Sequence, residues 1–131
     1  MIVLDSSAAV ELLLALPGSP QVQQHLESVD WQIAAPQLLI VEVLQVLRRR
    51  VAAGVTSPED AEEGRRLFSE LGIRYFDHEL VSDRVWQLRE NLTAYDACFV
   101  ALAELVDAEL LTADARLANA PGHAARMRLV S

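Results

Sequence analysis

Lysine is absent: all 11 basic residues of this 131-residue chain are arginine. That absence excludes a Walker A phosphate loop, a lysine Schiff base and the lysine-dependent phosphotransfer domains that also place aspartates at strand ends. Cysteine occurs once, at Cys98, so there is no disulfide framework and no zinc-finger spacing. Its place in an apolar helical stretch reads as a small core residue rather than a nucleophile. No stretch approaches the roughly 18 uncharged apolar residues that a membrane helix needs. Met1 leads straight into Ile2-Val3-Leu4 with no basic region or cleavage site, and the expectation is a chain without a signal peptide, located in the cytoplasm. Positive charge is scarce, 11 basic residues against 19 acids for a formal net charge of −8. Such a chain is not a general nucleic-acid binder, because it repels phosphates at long range. If it acts on a polyanion, bound cations or a local arginine patch must reverse the sign at the site.

What is present is a chain with 52% apolar residues, long enough for a single domain over residues 1–131 with a real core. Short apolar runs at Met1–Leu4, Trp31–Ala34, Ile73–Phe76, Glu109–Thr112 and Met127–Val130 read as strands. Between them lie stretches of helical character. The pattern predicts helices over Ala8–Leu16, Ser19–Val29, a run opened by Pro36 and closed by Gly54, Ser57–Leu71, His78–Asn91 and, behind a Thr93 cap, Tyr95–Val106, with a short one after Asp114 to Ala120. In the His78–Asn91 helix Asp77 is the expected cap, and Leu80, Val81, Val85, Trp86 and Leu88 the apolar positions. Strands separated by helices argue an α/β fold, a three-layer α/β/α sandwich around a parallel sheet.

The stretch Leu92–Asp114 organises the rest. Thr93-x-x-Asp96 matches a capping box, and the helix that follows reads as buried on most sides, Ala97, Val100, Ala101, Leu102 and Leu105 leaving Glu104 as its clear polar position. Glu109–Thr112 is the strand it feeds, with Asp114 just past its end. A helix runs antiparallel to the strand it feeds, so Asp96 and Asp114 converge on one edge of the sheet, where open α/β sheets bind ligands. Asp5, which ends the first strand, is a third acid on that edge. Glu42 is the single acid of its apolar helix. Side chains on a helix lean toward its N-terminus, so the long glutamate reaches back toward the same edge.

Each acid also has an ordinary reading. Asp5, Asp96 and Asp114 all stand where a helix starts, and an aspartate cap stabilises a helix by roughly 1 kcal/mol. Every such cap in an α/β fold lies on the same edge, so shared location alone does not make a site. Glu42 is too deep in its helix to cap anything, and its plain reading is an exposed stripe with Gln45 and Arg49. Taken jointly the four say more. Two unit charges about 4 Å apart repel by roughly 4 kcal/mol at an effective dielectric of 20, so a pocket of four carboxylates calls for protons or metal. Oxygen donors without thiolate or imidazole suit Mg²⁺ or Mn²⁺, and two such ions roughly 4 Å apart clamp a phosphodiester for in-line attack. His25, His78 and His123 fit no zinc or triad pattern. Ser6 and Ser7 read as capping or supporting hydroxyls. Thr112 reads equally as a β-branched strand residue or as a hydroxyl bonded to a carboxylate. Arg48-Arg49-Arg50, the one basic run, favours its helix dipole as a solvated cluster; contact with an RNA backbone is the sharper alternative.

The segments MIVLDSSA, PQLLIVEVLQVLRR, LTAYDACFVALAE and LLTADARL, in this order and spacing, resemble the PIN domain, and within it the VapC-type toxins of bacterial toxin–antitoxin pairs. The resemblance covers essentially the whole chain. It implies a metal-dependent endoribonuclease in which Asp5, Glu42, Asp96 and Asp114 bind Mg²⁺ or Mn²⁺ and activate a water against RNA phosphate. Ser7 and Thr112 match accessory hydroxyl positions. A homodimer and a cognate VapB-type antitoxin are implied as well; an arginine of such a partner would suit the acidic pocket. One departure stands out: where some relatives carry a further acid within a turn of the last aspartate, this chain has Ala115-Arg116-Leu117-Ala118-Asn119, which implies a second metal held weakly or recruited with RNA. Two other classes stay open at this point. One is a catalytically silent PIN-like module that binds protein and uses the acids as caps. The other is a metal-dependent phosphohydrolase of small phosphate esters, for which the sequence offers no long glycine-rich lid.

Overall fold

The computed structural model describes residues 1–130. Five strands, β1 (Ile2–Leu4), β2 (Ile33–Pro36), β3 (Arg74–Phe76), β4 (Glu109–Thr112) and β5 (Met127–Leu129), form one sheet in the order β3-β2-β1-β4-β5. Every pairing is parallel; Val3 stands opposite Ala34 on one side and Leu110 on the other. β1 and β2 are buried along their whole length, as strands covered on both faces must be.

The helices are α1 (Ser6–Leu13), α2 (Ser19–Glu27), α3 (Leu38–Ala52), α4 (Pro58–Glu70), α5 (Ser82–Gln87), α6 (Ala94–Val106) and α7 (Ala115–Ala118). Crossovers between parallel strands are right-handed. The steps β1 to β2 and β2 to β3 run one way across the sheet, and the step β3 to β4 runs back. The helices of the first two therefore cover one face and those of the third the other. Accordingly α1 packs on α2, α3 and α4, while α5 packs on α6 and α6 lies across β1, β2 and β4. This is the three-layer α/β/α sandwich. Leu4, Leu39, Phe99, Leu102, Leu110 and Leu111 fill its core. Among the described residues no helix is long and apolar enough to cross a membrane.

The strand order reverses between β1 and β4, and a crevice opens at such a reversal, beyond the carboxyl ends of the strands. Asp5 follows β1 and Asp114 stands two residues past β4. The fold therefore delivers both aspartates to the crevice from adjacent strands.

Several element boundaries differ from the sequence pattern. α1 starts at Ser6 because Asp5 caps it directly, and it ends early because Ala15 takes a left-handed φ of 53°. The second strand begins at Ile33 rather than Trp31. Asp30 and Trp31 are both left-handed and close the end of α2, the Trp31 N–H donating to the Leu26 carbonyl at 2.8 Å. Pro36 is the last residue of β2 rather than the first of a helix. The helix expected over His78–Asn91 is a 3₁₀ turn, His78–Leu80, followed by the short α5. Asp77 stands at its N-cap position, but its side chain makes no capping hydrogen bond. Its Oδ1 accepts from Gln37 Nε2 at 3.1 Å, and His78 Nε2 accepts the Leu38 N–H at 3.0 Å, so both residues serve the start of α3. Val81 and Leu88 are buried as expected, but Leu80 and Trp86 are 60% and 68% exposed. Leu105, expected on the buried side of α6, is likewise 55% exposed.

Candidate functional site

Asp5 is 5% exposed. Its extended backbone makes it the N-cap of α1, with Oδ1 accepting the Ala8 N–H at 2.9 Å and the Ser7 hydroxyl at 2.8 Å. Oδ2 accepts the Thr112 hydroxyl at 2.5 Å. The fully buried Thr112 in turn accepts the Asp114 N–H at 3.0 Å, and Ser7 Oγ accepts the Ala113 N–H at 2.9 Å. Ser7 and Thr112 thus tie the end of β1 to the end of β4 through the Asp5 carboxylate. Burial pushes the Asp5 carboxyl above the usual range against these three hydrogen bonds, and the Asp114 charge pushes it the same way.

Glu42 lies in the second turn of α3 and is half-buried. Its carboxyl is raised chiefly by burial and then by the charges of Asp96 and Asp5, against a hydrogen bond from the Ser6 hydroxyl. The expectation of a fully exposed stripe is met by Gln45 and Arg49 but not by Glu42. Asp96 is in the first turn of α6, where the cap is Thr93, whose Oγ1 accepts the Asp96 N–H at 3.1 Å. The Asp96 side chain accepts from Arg116 Nη2 at 3.0 Å. Asp114 caps α7, accepting from the Arg116 and Leu117 N–H groups at 2.9 and 3.3 Å.

These contacts separate the two meanings an acid at a helix start can have. Capping explains Asp5 and Asp114. It does not explain the side chains of Asp96 and Glu42, which face other charges. Repulsion runs from Asp114 to Asp5, from Asp5 to Glu42 and from Glu42 to Asp96, so all four belong to one electrostatic group. Arg116 Nη2 bridges the ends of that series, 3.0 Å from Asp96 Oδ2 and 3.2 Å from Asp114 Oδ2. The sequence pattern gave Arg116 no role. Its signal is its position two residues past Asp114, in the single turn that α7 allows.

As donors, four carboxylates backed by hydroxyls suit a hard divalent cation. The set is open: among the described residues no three acidic, histidine or cysteine side chains close on a point as metal ligands, as the mutual repulsion and the Arg116 bridge favour. The histidines stay outside the group; His78 accepts the Leu38 N–H and His123 Nδ1 the Ala125 N–H. Cys98 is half-buried, not a fully buried core residue. Burial, and secondarily the Glu42 charge, push its thiol up, which disfavours the nucleophilic thiolate.

The PIN domain family model matches residues 2–122 of this chain. Ribonuclease VapC12 of Mycobacterium tuberculosis is 37% identical over 131 residues, covering 100% of both chains. Ribonuclease VapC1 of the same organism is 39% identical over 131 residues, covering 98% of this chain and 96% of that one. Among solved structures, VapBC2 from Rickettsia felis bound to a DNA fragment from their promoter superposes with a TM-score of 0.65 over 100% of both chains, at 15% identity, and shows the same fold.

Proposed function

The chain belongs to the PIN domain family, and from that premise we propose that it is a metal-dependent endoribonuclease, the toxin of a toxin–antitoxin pair, acting on RNA in the cytoplasm. The observation that carries this reading is the electrostatic series Asp114–Asp5–Glu42–Asp96 at the strand-order reversal. Carboxylates gathered against their own repulsion are an arrangement whose stability improves when a cation binds. Ribonuclease relatives that match this chain end to end support the same reading.

In it, Asp5, Glu42, Asp96 and Asp114 hold Mg²⁺ or Mn²⁺. The bound cation would supply the positive charge that offsets the acids and the RNA phosphate and makes a water nucleophilic at neutral pH. Ser7 and Thr112 fix the Asp5 carboxylate, each through a hydroxyl that is itself anchored by a backbone N–H. The Ser6 hydroxyl hydrogen-bonds the Glu42 carboxyl. Arg116 neutralises part of the Asp96–Asp114 charge. The partners in this reading are a VapB-type antitoxin and a second copy of the chain. Exposed Leu80, Trp86 and Leu105 supply apolar surface for such contacts.

The test is cleavage of a mixed cellular RNA pool by purified protein with Mg²⁺, with Mn²⁺ and with chelator, beside Asp96→Asn. Thr93 remains as the cap of α6, so the variant is expected to fold. Discrete cuts that need metal and fall by at least 100-fold in the variant are the expected outcome. Equal cutting by the variant contradicts the site; no cutting by a folded parent leaves a binding module.

A further inference from the structure

The basic run at the end of α3 divides by face. Arg50 Nε donates to Thr56 Oγ1 at 2.9 Å. Arg48 lies toward α4, beside Pro58, Ala61 and Glu62. Arg49 points the other way, into a groove of about 360 Å³ that also takes in Ser6, Val41, Glu42, Gln45 and Tyr95. The groove therefore begins at the acidic group and ends at a cation. Arg49 is seven residues past Glu42, about 10 Å along the helix at 1.5 Å per residue.

The state of its side chains is unusual for this chain. Arg65, Arg66, Arg84, Arg116, Arg126 and Arg128 are paired with carboxylates. Arg74 and Arg89 lie over aromatic rings. Among the described residues Arg48 and Arg49 are the arginines with no hydrogen bond, ion pair or ring contact. Tyr95 is 65% exposed and Val41 64% exposed, both in the groove. A free guanidinium, an open aromatic face, a side-chain amide and an apolar floor together match the parts of a nucleotide: phosphate, base face, base edge and sugar. Single-stranded nucleic acid is held by this combination of stacking platforms and cations.

We propose that this groove seats a nucleotide of single-stranded RNA next to the cleaved phosphodiester, with the base on Tyr95, its edge toward Gln45 and its phosphate on Arg49. The inference rests on the nuclease reading above and adds the residues that hold the nucleotide and its direction of approach along α3. It also gives a chain of net charge −8 a way to hold a polyanion: a local cation stands in the groove that starts at Glu42.

The experiment is binding of a fluorescently labelled single-stranded RNA to the full chain carrying Asp96→Asn, which blocks cutting. Arg49→Gln is compared with Arg48→Gln, since both remove the same charge one residue apart. Arg49→Gln is expected to weaken binding several-fold and to reduce the slope of log affinity against log salt by about 0.7, with Arg48→Gln leaving the slope unchanged. Tyr95→Ala is expected to weaken binding roughly 5- to 100-fold, with Tyr95→Phe restoring it. Equal effects of the two arginines, or no effect of Arg49 and Tyr95 on a parent that binds RNA, overturn the groove and leave the nuclease reading standing. A parent that neither binds nor cuts RNA overturns both.

Discussion

At the scale of single residues the proposed site gathers carboxylates against their own repulsion. Glu42 is held half-buried near Asp96 and Asp5, and its carboxyl is raised above the usual range. A raised acid is one whose protonated form the fold prefers. Its contribution is fully present below the unfolded value near 4.5 and is lost as pH rises through the higher folded value. At neutral pH, above the unfolded value, this carboxyl therefore costs stability that a glutamine would not. Glu42→Gln is therefore expected to match or exceed the parent's Tm at pH 7 in chelator, by about 2–4 °C for relief on the order of 0.5–1 kcal/mol. Mn²⁺ should raise the parent's Tm and leave the variant's nearly unchanged. A differential scanning run at pH 4.5 and pH 7, with and without Mn²⁺, checks both parts; a variant that loses stability in chelator would show that Glu42 is structural. The placement of Asp5, Asp96 and Asp114 on one edge was legible in the sequence because each stands at a strand end or a helix start, and Glu42 stood out as the single acid of an apolar helix. The proximity of Arg116 to Asp96 was not, since it depends on how α7 turns after Asp114, and nothing in the local pattern sets that angle.

At the scale of elements, α6 is anchored at both ends. Thr93 caps its start, and Glu104 in its last turn accepts from Arg84 Nε and Nη2 at 2.7 and 3.0 Å and from the Ala124 N–H at 2.7 Å. One carboxylate thus joins α5, α6 and the segment before β5. Arg84 holds the Glu104 carboxyl below the usual range, with the Ala124 N–H adding to the effect. A lowered acid stabilises the fold above the unfolded value near 4.5, and the contribution disappears as pH falls through the lower folded value. Glu104→Gln should cost about 1 kcal/mol at pH 7, since the pair is partly exposed and the amide keeps some hydrogen bonding. Denaturant melts of parent and variant should converge as pH drops below that window; a difference that persists there would place the effect in packing instead. The strands were readable as apolar runs, and the long helices by their breakers. α5 was not, because the pattern over His78–Asn91 suits a helix while Asp77 and His78 are drawn to the start of α3. Trp86 reads as a core residue by type, yet it stands in solvent with the Arg89 guanidinium 4.5 Å from its ring.

At the scale of the molecule, the strand order β3-β2-β1-β4-β5 decides where the acids meet. The reversal beside β1 is the place where an aspartate after the first strand and one after the fourth become neighbours. Alternation of strands and helices implied a parallel sheet and the edge on which the acids meet, but the hydrophobic pattern carries no record of which strand lies beside which. The charge distribution follows a similar logic. Most arginines are committed to carboxylates or aromatic rings, Arg116 alone of them to the crevice acids, and among the described residues Arg49 is the unpaired cation of the groove beside the crevice. The most direct measurement of the central claim is a calorimetric titration of Mn²⁺ into the purified chain without RNA, beside Asp96→Asn and beside Glu62→Gln, which removes an equal charge from the exposed face of α4. The expected result is saturable binding by the parent and by Glu62→Gln, weakened at least tenfold in Asp96→Asn. Binding of equal strength in all three would contradict a metal centre built on these acids.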